Sequence, residues 1–270
     1  MLCVLLKRTS FFLQLFFLAF SWCACTKNLS YSYNTTRKRQ VHCYSFGSGP
    51  TIVYLHGWGC DGKIFLPVAK LLPHYNNVMP DFNGFGKSPP PPSVGWTIDD
   101  YVSELYLFFL QYNIQKAVIV GHSFGGRVAI AFAARYPQFV KKLLLVAPAG
   151  LRRFSLKRLI KVALYKTGKK IGICGQNVGS SDYRNCSPAM KATFVKVVND
   201  DLSRYAKQIS CPVLIVNGNN DEQTPLWHAK KLSRLIKNSV ISVADGGHFL
   251  MFADPVRFAQ VIDIFSEEAD

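Results

Sequence analysis

With 270 residues, of which 49% are hydrophobic and 18% charged, the chain can bury a substantial core and does not belong among disordered proteins. Its length fits one large α/β domain with room for an insertion, but hardly two full domains. The formal net charge of +16 is local: residues 1–40 hold six basic and no acidic side chains, and residues 151–210 hold thirteen basic and three acidic ones. The other residues are balanced, which argues against a nucleic-acid-binding surface spread over the whole fold.

The first thirty residues have the layout of a targeting segment. Lys7 and Arg8 precede an uncharged stretch, rich in Phe and Leu, that runs from Thr9 to Cys25. A basic region followed by an apolar one is typical of a secretory signal, so residues 1–30 are predicted to be a signal-like or anchor segment. The stretch is slightly shorter than the roughly 20 apolar residues that span a bilayer. The alternative is an upstream start codon that adds a tail without function to a cytoplasmic protein.

From residue 41 onward, short apolar runs alternate with helical stretches. Runs that are nearly all apolar and rich in β-branched residues predict strands covered on both faces. They are Thr51–Leu55, Ala117–Val120, Leu143–Ala147 and Val213–Asn217. One helix is predicted to begin at Thr97, because Thr97 and Asp100 are spaced as in a capping box. The alternation predicts an α/β fold with a doubly wound, mostly parallel sheet.

Residues 151–210 interrupt this alternation. They show helical periodicity without an apolar strand, and a strand run resumes only after Cys211-Pro212. An excursion between two sheet strands is expected to lie above the sheet as a helical cap. The predicted organisation is therefore a core formed by residues 41–150 and 211–270, with the cap at 151–210.

The turn after the strand Ala117–Val120 carries the candidate nucleophile. Gly121-His122-Ser123-Phe124-Gly125-Gly126 leads directly from that strand into the helical run Arg127–Arg135, which is the strand–turn–helix context of a nucleophile elbow. Such a sharp turn strains the serine backbone, and glycines let strand and helix approach closely. We expect Ser123 to project at the carboxyl edge of the sheet, with a helix amino terminus behind it.

A serine hydroxyl needs a base, and His248 is the predicted one. It follows the strand Val240–Val243 near the end of the chain, where loops gather at the carboxyl edge of the sheet. His122 adjoins Ser123, so its side chain is expected to leave the elbow in another direction. His56 belongs to a different loop, His56-Gly57-Trp58-Gly59.

The base needs a carboxylate to fix its tautomer, and Asp221 is the predicted one. It comes right after the strand Val213–Asn217, with Glu222 as the reserve. Asp245 is closer to His248 in sequence but is expected to be exposed. The order serine, aspartate, histidine is that of α/β hydrolases.

Two backbone amides are expected to stabilise the oxyanion. One is that of Phe124, after the nucleophile, and the other is that of Trp58, in the loop after the first apolar strand. Asp81 is expected to pin the neighbouring loop rather than to react.

Neither a cofactor nor a metal is expected. The eight cysteines form no CxxC pair, and the histidines do not combine with them in a metal-ligand spacing.

Five motifs in this order resemble the α/β-hydrolase fold superfamily, in its one-domain, capped form, over residues 41–262. They are HGWG at 56–59, DFNGFGKS at 81–88, GHSFGG at 121–126, GNND at 218–221 and GGHF at 246–249. The HGWG loop and the position of the cap are similar to those of pimeloyl-[acyl-carrier protein] methyl ester esterases. The resemblance implies a serine hydrolase that cleaves an ester or thioester through an acyl-enzyme.

Two other functions fit the same fold. A C–C bond hydrolase of a dienoic ketoacid would use the same triad, and a non-catalytic binding protein would keep the fold without the reaction. A nucleophilic serine argues against epoxide hydrolases and haloalkane dehalogenases, whose relatives use aspartate at that position.

The predicted cap begins with a basic run, in which residues 152–170 hold eight basic side chains and no acidic one. Leu156, Leu159, Ile160 and Ala163 recur at helical spacing within it, so a helix could bury one side on the pocket and turn its charges outward. The simpler interpretation is a solvated face; the sharper one is docking of an acidic acyl-carrier protein or an anionic membrane surface. The basic residues are Arg152, Arg153, Lys157, Arg158, Lys161, Lys166, Lys169 and Lys170.

Overall fold

The computed structural model describes residues 41–91, 95–152 and 180–267. Within these ranges seven strands form one sheet in the order β1-β3-β2-β4-β5-β6-β7. They are β1 Cys43–Phe46, β2 Thr51–Leu55, β3 Asn76–Pro80, β4 Ala117–His122, β5 Val140–Val146, β6 Val213–Gly218 and β7 Ser239–Ala244. β1 pairs antiparallel with β3, and every other neighbouring pair is parallel. The predicted mostly parallel sheet is confirmed.

Helices connect the strands and cover the sheet. In the described ranges they are α1 Leu66–Ala69, α2 Ile98–Gln111, α3 Phe124–Arg135, α4 Ser181–Asn185, α5 Pro188–Asn199, α6 Ser203–Ala206, α7 Trp227–Leu235, α8 Leu250–Ala253 and α9 Pro255–Glu267. α2 begins with the predicted capping box. The amide of Thr97 donates to the Asp100 carboxylate at 2.7 Å, and the amide of Asp100 donates to the Thr97 hydroxyl at 3.3 Å. Two free amides at the start of the helix are satisfied in this way.

The central strands bury side chains on both faces of the sheet. In β4, Ile119 joins the apolar cluster that includes α2 and α3, whereas Val118 and Val120 join the cluster that includes α1 and α9. Successive side chains of a strand point to opposite faces, so helices must cover both faces. This is the doubly wound architecture that the sequence predicted.

Several strand ends differ from the predicted runs by one to three residues, and two of these differences adjoin the serine turn. β4 continues to His122, so the strand leads into Ser123 without an intervening residue. β5 ends at Val146 rather than at Ala147, because Ala147 has a φ of 44° and the left-handed region cannot continue an extended strand. These two differences lie at the carboxyl edge, where the chain turns sharply around the serine.

The described part of the predicted cap is helical and lies against the core. Thr193 of α5 is fully buried and accepts a hydrogen bond from the Trp96 amide at 3.0 Å. The amide of Leu202, just before α6, donates to the Gly150 carbonyl at 2.8 Å. The helix predicted within Phe154–Lys166, and all of the basic run except Arg152, lie outside the described residues. The cap boundaries at 151–210 stay a prediction.

The part of the chain predicted to contact a membrane is the amino-terminal segment. Residues 1–30, predicted to be signal-like, lie outside the described residues. Of the helices in the described ranges, none is both long and apolar enough to cross a bilayer. The targeting interpretation and its alternative both stay predictions.

Replacing Phe132 by alanine is expected to destabilise the fold by about 3–5 kcal/mol, because it empties a large site in the core. Phe132 is fully buried on α3, with its ring centroid 4.9 Å from that of Phe109 on α2. Urea unfolding followed by circular dichroism measures the loss. Leu110→Ala is the matched control, since Leu110 is 51% exposed on α2, and it is expected to cost less than about 0.5 kcal/mol. Equal losses in the two variants would contradict this account of the core.

Candidate active site

Ser123 occupies a strained turn between β4 and α3. Its backbone angles are φ 50° and ψ −106°, outside the regions that ordinary residues prefer. The turn is held by its own backbone: the Ser123 amide donates to the Val146 carbonyl at 3.0 Å, and its carbonyl accepts from the Ala149 amide at 3.3 Å. Strain that neighbouring contacts maintain in this way is typical of functional sites. The sequence expectation of a sharp elbow at Ser123 agrees with this geometry.

The flanking glycines are required by close backbone approach. A Cβ on Gly125 would lie 2.0 Å from the carbonyl oxygen of Leu55, at the end of β2. A Cβ on Gly121 would lie 2.9 Å from the Gly125 carbonyl and 3.0 Å from the Cβ of Ala129. Because these contacts are with backbone and core atoms, a larger residue would push α3 away from the sheet. The glycines therefore set the position of Ser123.

His248 and Asp221 lie together at the carboxyl edge of the sheet. His248 follows β7 and Asp221 follows β6, and the His248 Nδ1 is 2.9 Å from the Asp221 Oδ2. Both side chains are buried. Since a carboxylate accepts, Nδ1 carries the proton in the neutral ring and Nε2 is left as the free base nitrogen. The structure thus pairs the two residues that the sequence assigned as base and carboxylate.

Thr224 completes the surroundings of Asp221. Its amide donates to the Asp221 Oδ1 at 2.8 Å, and its hydroxyl donates to the Oδ2 at 2.6 Å. The Gln223 amide donates to the Oδ1 as well, at 2.8 Å. Burial alone would raise the pKa of Asp221, but the hydrogen bonds from His248 and Thr224 outweigh it and hold the pKa below its usual range. Asp221 is therefore an anion in position to stabilise a protonated His248.

The other two carboxylates considered from the sequence point elsewhere. Glu222, the reserve, is exposed to solvent although it adjoins Asp221. Asp245 is also exposed, as expected, and accepts a hydrogen bond from the Asn219 amide group at 2.8 Å. Asp221 is thus the carboxylate of these three that contacts His248.

Ser123 opens onto a cavity that also contains the predicted oxyanion residues. The cavity has a volume of about 680 Å³, and its lining includes Trp58, Ser123, Phe124 and Thr224. In the described part of the chain, the amides of Trp58 and Phe124 donate to no protein acceptor. The Trp58 ring packs edge-on against Phe124, with centroids 5.3 Å apart, which holds the two loops together. An oxyanion hole requires two such amides beside a serine, with no acceptor among the described residues that would occupy them.

His56 and Asp81 pin the loops around this cavity. The His56 Nε2 accepts from the Phe82 amide at 2.9 Å, so its Nδ1 carries the proton and donates to the Gly57 carbonyl at 2.8 Å. Asp81 is fully buried and accepts from the Gly62 amide at 2.7 Å. The expectation that Asp81 pins a loop agrees with these contacts. His56 adds a link that the sequence did not indicate, between the loops after β2 and β3.

His122 also connects parts of the site. Its Nε2 donates to the backbone carbonyl of His248 at 2.9 Å, while its Nδ1 faces Gly57, where an added Cβ would lie 2.8 Å away. Burial, together with the nearby His248, lowers the pKa of His122 to about 3, so the ring is neutral. This contact agrees with the expectation that the His122 side chain leaves the elbow in another direction. The sequence carried no signal for this supporting role, which depends on a residue 126 positions away.

Comparisons with known proteins agree with this geometry. A family model described as alpha/beta hydrolase fold matches residues 50–167. Lipase 1 of Psychrobacter immobilis is 25% identical over 92% of this chain and 93% of its own length. A 2-hydroxy-6-oxo-2,4-heptadienoate hydrolase of Pseudomonas putida is 22% identical over 86% of this chain and 94% of its own. The pimeloyl-[acyl-carrier protein] methyl ester esterase of Shewanella woodyi is 35% identical over 40% of this chain and 39% of its own.

Solved structures show the same fold. The esterase from Exiguobacterium antarcticum superposes with a TM-score of 0.70 at 19% identity, covering 84% of this chain and 96% of that one. The sheet order, the serine turn and the comparisons together define a hydrolase. The chain has the α/β-hydrolase fold, and the family match over residues 50–167 and the relatives support the superfamily that its five motifs resemble.

Stability is expected to fall as the pH drops below 6.5, because two buried rings stay neutral in the folded protein. Burial lowers the pKa of His56 to about 4 and that of His122 to about 3. Between those values and 6.5 the unfolded chain binds protons that the folded chain does not, so each ring removes up to about 1.4 kcal/mol per pH unit. Urea unfolding from pH 7 to 4.5 measures the slope, and His122→Asn should reduce it. An unchanged slope in that variant would contradict the neutral, buried ring.

Proposed function

We propose that the protein is a carboxylic ester hydrolase that forms an acyl-enzyme at Ser123 and needs no cofactor. The observation that carries this proposal is the buried 2.9 Å contact between His248 and Asp221, at the same edge of the sheet as the strained Ser123. A neutral imidazole held by a buried carboxylate is the base that a serine hydroxyl needs.

The reaction follows from the roles of these groups. The Ser123 Oγ attacks the ester carbonyl carbon while the His248 Nε2 takes its proton, and Asp221 stabilises the resulting imidazolium. The negative charge that develops on the carbonyl oxygen is met by the amides of Trp58 and Phe124. The intermediate then collapses, and His248 returns the proton to the departing alcohol, which leaves an acyl group on Ser123.

Water completes the cycle by the same route. His248 removes a proton from a water molecule that attacks the acyl carbon, and a second tetrahedral intermediate forms at the oxyanion site. Its collapse releases the carboxylic acid and returns the proton to the Ser123 oxygen. The balance is one ester and one water in, one acid and one alcohol out.

Two relatives favour an ester as the substrate. One is named a lipase and matches over most of both chains, and the other is named a methyl ester esterase and matches over part of them. A second candidate function is C–C bond hydrolysis of a dienoic ketoacid, which the Pseudomonas putida relative supports. The third possibility, a non-catalytic binding protein, gives no role to the amides of Trp58 and Phe124, which have no acceptor among the described residues.

We also propose that the substrate reaches Ser123 from an anionic partner that binds the basic run of the cap. An acidic acyl-carrier protein, or an anionic membrane surface reached by the amino-terminal segment, would suit the basic run of residues 152–170. Of this run the structure describes Arg152, an exposed residue at the rim of the Ser123 cavity.

Ser123→Ala is expected to lower kcat by roughly 10⁴-fold or more while the melting temperature stays close to that of the wild type. The assay is hydrolysis of p-nitrophenyl esters of increasing chain length, which also identifies the preferred acyl group. Turnover of 2-hydroxy-6-oxo-2,4-heptadienoate without turnover of any ester would favour the C–C hydrolase. No turnover of either substrate class would favour the binding protein.

Asp221→Asn is expected to lower kcat by about 10⁴-fold, because the amide cannot stabilise a protonated His248. Glu222→Gln is the matched control, since this adjacent carboxylate is exposed, and it should change kcat less than about twofold. The same ester assay measures both variants. A larger loss in Glu222→Gln than in Asp221→Asn would assign the carboxylate role to Glu222.

A further inference from the structure

The wall of the Ser123 cavity contains a buried cation. Arg127 lies on α3, one turn after Ser123, and its amide donates to the Ser123 carbonyl at 3.3 Å. The residue is only 7% exposed, and it lines the same cavity as Ser123. Burial lowers the pKa of Arg127 to about 10, so the guanidinium is still charged at neutral pH. A charge removed from water in this way is costly unless partners compensate for it.

The protein compensates for only part of this charge. The Arg127 Nη1 donates to the carbonyls of Val197 at 2.9 Å and of Asp200 at 3.1 Å, at the carboxyl end of α5. These carbonyls carry the partial negative charge of a helix end, so the contact joins α5 to α3. No carboxylate in the described ranges lies within ion-pair distance of Arg127, although the nearby Asp200 and Asp201 favour its charged form and oppose the effect of burial on its pKa.

The other edge of the guanidinium makes no hydrogen bond to a described residue. Both hydrogen bonds of the Arg127 side chain to described residues use Nη1. Because Arg127 lines the cavity, the Nε and Nη2 edge is the part of the guanidinium that remains to bind a ligand there. Two parallel N–H groups form the fork that binds a carboxylate with two hydrogen bonds.

The rest of the cavity lining suits a short apolar chain that joins the ester at Ser123 to a second group at Arg127. Apolar and aromatic side chains form much of the wall, namely Leu151, Phe194, Val198 and Trp227. His228, which also lines the cavity, is kept neutral by burial, which lowers its pKa. The other charged lining residues, Arg152 and Asp182, are exposed and of opposite sign. Among the charged residues in the described lining, Arg127 is thus the one whose side chain is buried.

We propose that Arg127 binds a carboxylate in the acyl part of the substrate, so that the enzyme prefers monoesters of dicarboxylic acids. This inference rests on the proposed esterase function and names its substrate class. The acyl chain spans the apolar wall, with the ester carbonyl at Ser123 and the second carboxylate at Arg127. The contact with α5 holds the guanidinium in place before the substrate arrives, so little ordering is needed on binding.

The test compares two substrates of equal chain length, mono-p-nitrophenyl adipate and p-nitrophenyl hexanoate. The wild type should have a higher kcat/KM for the adipate monoester, and Arg127→Gln should reduce the ratio of the two values by tenfold or more. Glutamine ends where the arginine Nε lies, so this variant loses the Nη1 contact with α5 as well as the charge. The ratio of the two substrates separates the loss of the charge from a general effect of the lost contact, which would lower both values. Arg127→Lys restores the charge and should recover part of the ratio. An equal loss for both substrates, or for neither, would overturn the proposal.

Arg152→Met is the matched control for general electrostatic attraction. Arg152 is exposed at the rim, so its loss should change the ratio less than threefold, and 0.5 M NaCl should abolish that change. A loss as large as that in Arg127→Gln would mean that the overall charge of the cavity, and not Arg127, selects the substrate.

A binding measurement separates failure of this inference from failure of the proposed function. Isothermal titration of adipate into the Ser123→Ala variant requires no turnover. Binding that weakens tenfold or more when Arg127→Gln is added supports the carboxylate site even if no ester is hydrolysed. Equal binding with and without Arg127, or no binding at all, rejects the site even if the ester panel shows that the protein is an esterase.

Discussion

The start of α3 lies so close to the end of β2 that only a residue without a side chain fits between them. A Cβ on Gly125 would lie 2.0 Å from the Leu55 carbonyl oxygen, so the backbone would have to shift to admit one. This close approach lies beside the strained turn in which Ser123 leads from β4 into α3. It also brings the amide of Phe124 next to the loop that begins after β2 and carries the Trp58 amide. The proposed nucleophile and both proposed oxyanion donors thus depend on one close approach.

Two neutral imidazoles connect the loops at this edge. His56 joins the loop after β2 to the loop after β3, and His122 joins the end of β4 to the loop that carries His248. Each ring is buried and uses one N–H to donate to a backbone carbonyl. A neutral imidazole can do this without a counter-ion, whereas a lysine or arginine would bring a charge that must be compensated. The cost is a loss of stability under acidic conditions, where the unfolded chain takes up protons more readily.

Much of the fold was predictable because the information is local. β2, β4, β5 and β6 are short apolar runs, and their alternation with helices specifies a doubly wound sheet. β1 and β3 gave weaker signals. β1 is a partly exposed antiparallel strand, and β3 begins with Asn76-Asn77, whose second residue is buried and accepts a hydrogen bond from the Tyr54 hydroxyl. A buried polar residue that depends on a partner in another strand does not look like a strand residue in sequence.

The residues of the candidate site also fall into those that the sequence indicated and those that it did not. Ser123, Asp221 and His248 each stand in a motif that follows a strand, so the sequence alone could propose them. Thr224, His122 and Arg127 are ordinary polar residues in sequence. Their roles come from partners in other elements or from a cavity that exists only after folding. Of the three, Thr224 had a faint signal, because it follows Asp221 at the spacing of a turn in which aspartate accepts from backbone amides.

The central claim is that the strained turn presents Ser123 as a nucleophile activated by His248. Covalent labelling with a fluorophosphonate, followed by peptide mapping in a mass spectrometer, tests this claim without knowledge of the substrate. We expect a single adduct on Ser123 in the wild type and labelling that is at least a hundredfold slower in a His248→Asn variant. An adduct on another residue, or equal labelling rates in the two proteins, would contradict it.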